Sequence, residues 1–250
     1  MRQWTKAAAL ILASLATCYA SAEDARAIVS NAMDRWRGNS SIGSMRMTIH
    51  RPDWTRSISL KTWTSGLEQS LILVTAPAKD KGNATLLDKQ QLWSYSPKIN
   101  RVIKIPSSMM NQGWLGSDFS NRDITRSTDI LDQYDFELIE RRQVNDHIQY
   151  IIQATPHPDA PVVWGKEILT IRDDYVMLEQ LYYDQDMALV KQLQTLAIST
   201  FDGRPVASHM RVNQIDTPEQ WTDMEVLDTR FNVSLPDDIF TLSHLRSVAR

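Results

Sequence analysis

Few side chains in this 250-residue sequence are of a type and spacing that does chemistry. The five histidines, His50, His147, His157, His209 and His244, are scattered, with no i, i+4 pair and no His-x-His on a strand. No metal set is spelled out. His157 stands among Pro156, Pro158 and Pro161, the composition of an exposed loop. The pairs Asp173/Asp174, Asp184/Asp186 and Asp237/Asp238 have the chemistry of calcium ligands or of a general acid and base. Each also falls where a turn or a helix cap favours aspartate, which accounts for it without a ligand. Ser120 and Asp123 carry the spacing of a capping box and mark a helix start rather than a nucleophile. There is no Gly-x-Ser-x-Gly elbow, no phosphate-cradling loop, no dinucleotide glycine pattern and no His-Glu-x-x-His. The expectation is a protein that is not an enzyme and uses neither cofactor nor metal.

What stands out is apolar: ten methionines and eight tryptophans. Methionine is flexible and polarisable, and suits surfaces that accept variable apolar partners. The densest group, Met109, Met110, Trp114, Leu115 and Phe119, falls in a segment too irregular for a strand and too glycine-bearing for a good helix. Met45, Met47, Leu71, Leu73, Trp93 and Tyr95 lie on flanking strand-like stretches. Together these eleven residues are the candidate ligand-binding set. They fill a core if the sheet closes over them and line a cavity if it does not; the pattern itself allows both.

The elements that would position them follow from periodicity. From Glu23 to Arg37, apolar residues at Ile28, Val29, Ala32, Met33 and Trp36 fall on one helical face, and Gly38 stops the helix. From Ser44 the period becomes two. Met45, Met47 and Ile49 alternate with polar neighbours, Pro52-Asp53 turns, and further strands run to Thr75. A short strand at Ala84–Leu87 precedes a hairpin formed by Leu92–Ser96 and Arg101–Ile105. Beyond the central segment, seven more strand-like runs lie between Phe136 and Asn232, with Asp173-Asp174, Asp184-Gln185-Asp186 and Asp202-Gly203 at their gaps. Strands at this spacing without intervening helices favour one large curved antiparallel sheet over a doubly wound one. A last helical turn is expected over Asp238–Leu242, capped by Ser234. No linker divides the chain.

Residues 1–22 read as a cleavable export signal: Arg2 and Lys6, an apolar run from Ala7 to Ala16, and Ala20-Ser21-Ala22 before the cut. The domain is then residues 23–250, and the location the periplasm. Cys18, the only cysteine, belongs to that leader; lipidation at Cys18 is the competing reading. Removing the leader takes the formal charge from −3 to −5. A mildly acidic chain without Lys/Arg clusters is a poor partner for nucleic acid or anionic membrane surfaces.

The central stretch resembles the LolA-like family of outer-membrane lipoprotein-sorting proteins. Asp88-x-x-x-Leu92-Trp93-x-Tyr95-x-Pro97 is similar to the family's strand and turn. Arg101 through Gly116-Ser117-Asp118-Phe119-Ser120 to Asp123 is similar to a motif of one branch. Asp173-Asp174-Tyr175, Tyr183-Asp184, Lys191 and Leu235–Phe240 extend the resemblance over the whole mature chain. It implies an unclosed antiparallel β-barrel of about eleven strands, with helices covering the concave face and an apolar cavity beneath them. It implies a monomeric carrier or chaperone that binds lipid or lipoprotein acyl chains for transfer toward the outer membrane, served by an inner-membrane transporter and an outer-membrane acceptor. Pro106–Gly116 is the candidate lid. In the family's lipoprotein carrier an early-strand arginine holds the lid; Arg51-Pro52 is the nearest match here but is read as a turn before a different strand, so that role is not carried over. The alternative is a protein-binding or sensory module that regulates an envelope partner, since the fold is shared with such a regulator and fold does not fix function.

Overall fold

Each period-two stretch between turn signals becomes one strand, because alternation gives every strand an inward and an outward face. The computed structural model describes residues 19–248, the side chains of 19–24 and 126–129 excepted. Cys18 and most of the leader therefore lie outside the described residues.

Helix α1 (Tyr19–Arg37) comes first and ends at Gly38, whose φ is +63°. Six strands follow: β1 (Ser40–Arg51), β2 (Trp54–Ser65), β3 (Gln69–Ala76), β4 (Ala84–Asp88), β5 (Gln91–Ser96) and β6 (Arg101–Lys104). Two single 3-10 turns, Ser107–Met109 and Trp114–Gly116, lead into helix α2 (Asn121–Gln133). Seven further strands complete the sheet: β7 (Tyr134–Val144), β8 (His147–Pro156), β9 (Lys166–Arg172), β10 (Met177–Tyr183), β11 (Leu189–Phe201), β12 (Arg204–Gln214) and β13 (Trp221–Phe231). Helix α3 (Leu242–Ser247) lies near the C-terminus.

All thirteen strands form one antiparallel sheet in the order β6-β5-β4-β3-β2-β1-β13-β12-β11-β10-β9-β8-β7. The sheet does not close, and α1 and α2 cover its concave face, as expected for the fold class. Thirteen strands replace the roughly eleven that the resemblance implies, because each turn signal in the sequence closes its own hairpin. The last helix also differs from expectation. Residues 237–240 form only a turn, and α3 starts at Leu242, capped by the Thr241 hydroxyl accepting from the His244 amide at 3.1 Å. Thr241 has the extended backbone of a cap (φ −111°, ψ 155°), so helix geometry begins one residue later.

Packing divides into three groups. Ala25, Ile28, Val29 and Ala32 of α1 are buried with Ile130 of α2 against Tyr134, Ile152 and Leu169 of the β7–β9 end. Met47, Ile49, Ile58, Leu60 and Val74 pack with Trp114 and Phe119 of the segment between β6 and α2. Trp63, Leu71, Ala84, Leu86 and Tyr95 point to the opposite face, where Leu245 of α3 and Ile239 cover them. The sheet is thus covered on both faces near β2–β5, which is why β3 reads as a continuous apolar run. No helix among the described residues is long and apolar enough to cross a membrane.

The α1 clamp has a measurable weight. Ile28→Ala should cost about 2–5 kcal/mol of unfolding free energy, read from urea midpoints. Leu196→Ala, at an exposed position, should stay within about 0.5 kcal/mol.

Candidate functional site

The site is a cavity of about 280 Å³ between the concave face of the sheet, α1 and the segment that precedes α2. Its floor is set by strand register. Cross-strand neighbours on the inward face form successive rows: Phe231, Ser41, Thr64 and Ser70; then Thr229, Gly43, Thr62 and Ile72; then Val226, Met45 and Leu60; then Met224, Met47 and Ile58. The rows therefore pass from hydroxyls to purely apolar side chains along the strand direction. Ser41 and Thr64 share a hydroxyl hydrogen bond of 2.6 Å, and Thr62 Oγ1 donates to Gly43 O at 3.4 Å. The polar rows are thus largely satisfied.

The hydroxyl end is capped by the last turn of α1. Arg37, 7 % exposed, donates from Nε to Gly66 O and from Nη2 to Gln69 O, each at 2.7 Å. Burial lowers its pKa to about 10, and Arg35 and Trp36 join it in the lining. The apolar end is capped by the segment between β6 and α2. Trp114 and Phe119 reach inward, and the Trp114 indole donates to Thr85 Oγ1 on β4 at 3.0 Å. Residues 113–120 fold back on themselves: the Trp114 amide donates to Phe119 O at 2.7 Å, and Ser117 Oγ donates to Trp114 O at 2.7 Å. Gly113 is required here, since a Cβ would stand 2.5 Å from Ser117 O.

Two ion pairs hold this cover to the sheet. Arg51, the last residue of β1 and not part of the turn, grips Asp118 through both carboxylate oxygens at 3.0 Å, and Thr222 Oγ1 donates to the same carboxylate at 2.6 Å. Asp123 closes the expected capping box by accepting the Ser120 amide at 2.7 Å, and it also accepts from Lys191 Nζ on β11 at 2.5 Å. Lys191 is only 3 % exposed at its side chain and Asp123 11 %. Burial pushes the Asp123 carboxyl up, but the Lys191 charge, its hydrogen bond and those from Ser120 outweigh it and hold the group below the usual aspartate value. Elsewhere Asp173, Asp174 and Asp184 are engaged by their own surroundings. Asp174 forks onto Arg172, Asp173 accepts the Ile148 amide, and Asp184 accepts the amides of Asp186 and Ala188. His209 Nε2 lies 3.2 Å from Asp223 Oδ2 without hydrogen-bond geometry, while Arg211 forks onto the same carboxylate.

Of the eleven residues singled out in the sequence, the structure brings Met45, Trp114 and Phe119 to the cavity wall. Met47 and Leu115 belong to the apolar cluster beside it. Met109 and Met110 are half-buried outside it. Leu71, Leu73, Trp93 and Tyr95 sit on the opposite face with α3, one residue out of phase with the cavity side. The sequence reading did not single out Arg37, Lys191, Met210 or Met224 for the site. The inward period of β12 and β13 offered a signal for the two methionines; nothing local marks the two cations.

A family model described as "Uncharacterized protein" matches residues 66–247. No curated protein matches the chain. Among solved structures the chain is similar to a DUF1329 family protein from Desulfovibrio piger, with 25% identity and a TM-score of 0.81, covering 90% of this chain and 99% of that one. It is similar in fold to a putative outer membrane lipoprotein-sorting protein domain from Vibrio parahaemolyticus, with 22% identity and a TM-score of 0.77, covering 90% and 99%. A LolA superfamily protein from Nitrosomonas europaea shares the fold at 20% identity and a TM-score of 0.73, covering 88% and 98%.

Two outcomes follow from the ion pairs. Lys191→Met should cost about 3–5 kcal/mol, because it strands a buried carboxylate, and Asp123→Asn combined with it should recover part of that loss in urea titrations. With its folded pKa depressed, Asp123 contributes stability above the unfolded value of about 3.9 and loses it as pH falls through the folded value. Unfolding midpoints measured from pH 7 to pH 2 should drop at the acid end by less in the double variant than in the wild type. Separately, Arg51→Ala should speed amide exchange across residues 113–120 while leaving β9 and β10 unchanged.

Proposed function

We propose that this chain, which belongs to the family whose model matches residues 66–247 and has the fold of a LolA superfamily protein, is a periplasmic carrier or chaperone that holds an acyl chain of a lipid or lipoprotein and delivers it toward the outer membrane. The observation that carries this reading is the cavity itself, bounded at one end by Met45, Leu60, Trp114, Phe119, Met210 and Met224. Its 280 Å³ hold roughly nine groups of water size at ~30 Å³ each, enough for part of one chain. Each methylene that leaves water gains ~0.8 kcal/mol, so about nine give a gross ~7 kcal/mol before the cost of association.

Delivery requires release, and the cover supplies a way to it. The wall made by Trp114 and Phe119 belongs to a segment fastened at Asp118 and Asp123, so loosening the Arg51–Asp118 pair opens the apolar end without disturbing the sheet. An inner-membrane transporter as donor and an outer-membrane acceptor complete the route in this reading, and residues 1–22 export the chain.

The test is lipid mass spectrometry of organic extracts of the mature protein, with titration of dodecanoate followed by tryptophan fluorescence. The wild type should carry lipid and bind dodecanoate with saturation. Met45→Glu, which sets a carboxylate in the apolar row, should fold and lose at least about tenfold in affinity, the equivalent of one or two methylenes of contact. A folded wild type without extractable lipid and without dodecanoate binding would overturn the proposal.

A further inference from the structure

Arg37 does more than close the helix. Its side chain is buried, it lines the cavity, and both acceptors it holds are neutral backbone carbonyls, Gly66 in the turn between β2 and β3 and Gln69 at the start of β3. Among the described residues no carboxylate is paired with it, and its hydrogen bonds leave from Nε and Nη2. The other buried cation among the described residues, Lys191, has Asp123, and the partly buried Arg51 has Asp118. An arginine taken from water is costly unless charge and hydrogen bonds compensate it. Burial alone accounts for the lowering of its pKa, with no carboxylate acting against it.

The surroundings of Arg37 are not those of a core. It stands over the row of Ser41, Thr64 and Ser70, and the next row brings Thr62 and Thr229. Arg35 is half-buried in the same wall. The far end of the cavity, past Met45 and Leu60, is lined mainly by Met210, Met224, Trp114, Phe119 and Ile124, and the one carboxylate there, Asp123, is already paired with Lys191. A cationic, hydroxyl-rich end joined to an apolar one in a single cavity matches an amphiphile laid along the strands. A guanidinium without a carboxylate partner selects carboxylate or phosphate, which it meets in a fork.

Resting on the carrier reading above, we infer that the cavity takes a single-chain amphiphile with an anionic head, the head held by Arg37 beside the Ser41, Thr62 and Thr64 hydroxyls and the tail running toward Trp114. Carboxylate and phosphate heads share this chemistry. The ligand would supply the negative charge that the protein withholds, and its orientation would be fixed by the gradient along the floor.

The experiment compares dodecanoate, dodecyl phosphate and uncharged dodecanol, titrated calorimetrically at pH 8 below their micelle concentrations into wild type, Arg37→Gln and Arg35→Gln. At least one anionic ligand should bind wild type about tenfold or more tightly than dodecanol, the fold-change of one charge-assisted hydrogen bond. The stronger of the two identifies the head. Arg37→Gln should erase that preference and leave dodecanol affinity within about twofold. If the variant fails to fold, the wild-type ratio decides, with tail-brominated dodecanoate expected to quench Trp114 more than the 2-bromo isomer does, by comparison with Trp114→Phe. Equal binding of all three ligands by wild type overturns this inference and leaves the carrier reading standing; no binding of any of them overturns the carrier reading itself. Preference that survives in a folded Arg37→Gln also overturns the assignment to Arg37.

Discussion

Every pair of consecutive strands is also a hydrogen-bonded pair except β6 and β7, which lie at opposite edges of the thirteen-stranded sheet. The chain has to travel from one edge to the other, and residues 105–133 do so across the concave face. That single constraint creates the cover and therefore the cavity. It also explains why the segment's composition fits neither strand nor regular helix. The segment must cross strands rather than join them, carry large side chains inward at Trp114 and Phe119, and turn tightly enough that Gly113 cannot accept a Cβ.

A crossing segment with so little secondary structure of its own needs fastening, and the fastenings are electrostatic. Arg51 and Asp118 are 67 residues apart in sequence and Asp123 and Lys191 are 68 apart. Both pairs tie the cover to strands near the middle of the sheet and beyond it. Neutral hydrogen bonds would hold the segment with less orientation. A forked guanidinium and an ammonium in a half-dry site fix it in both position and direction. Arg37 obeys the same electrostatics with the opposite outcome, since it is anchored only by carbonyl dipoles and keeps its charge uncompensated within the protein.

Much of this fold was legible in the sequence, because periods of two and of 3.6 are local properties. The α1 face of Ile28, Val29 and Ala32, the hairpin of β5 and β6, and the capping box at Ser120 all follow from neighbours a few residues apart. What was not legible is which face of a strand meets the cavity. Leu71, Leu73, Trp93 and Tyr95 have the composition of a lining, yet α3 covers the other side of those strands, so apolar side chains are demanded on both faces and alternation loses its meaning there. On β1 both Met45 and Met47 face inward, but only Met45 lines the cavity, and register with β13 decides where the hydroxyl rows end. The Asp123–Lys191 pair lay beyond reach for a different reason: a lysine on β11 has no local signature of the carboxylate it will meet. The last helix begins a few residues after the turn that the sequence predicts, because Ser234 and Thr241 both have the chemistry of a cap and only backbone geometry separates them.

The sheet keeps two open edges, β6 and β7. Closing the sheet would require β6 to pair with β7, and neither strand is built for it. β6 has only four residues, two of them Arg101 and Lys104, and the outer half of β7 carries Glu140, Arg141 and Arg142 in exposed positions. Short length and charge are the usual means by which an edge strand resists further pairing. An unclosed sheet in turn leaves the concave face to be covered by a segment rather than by strands. A covering segment can be unfastened at two ion pairs, whereas a strand is released only by breaking a ladder of backbone hydrogen bonds. In the carrier reading, the gap between β6 and β7 is thus what would let the cavity exchange its contents, as a closed barrel core would not.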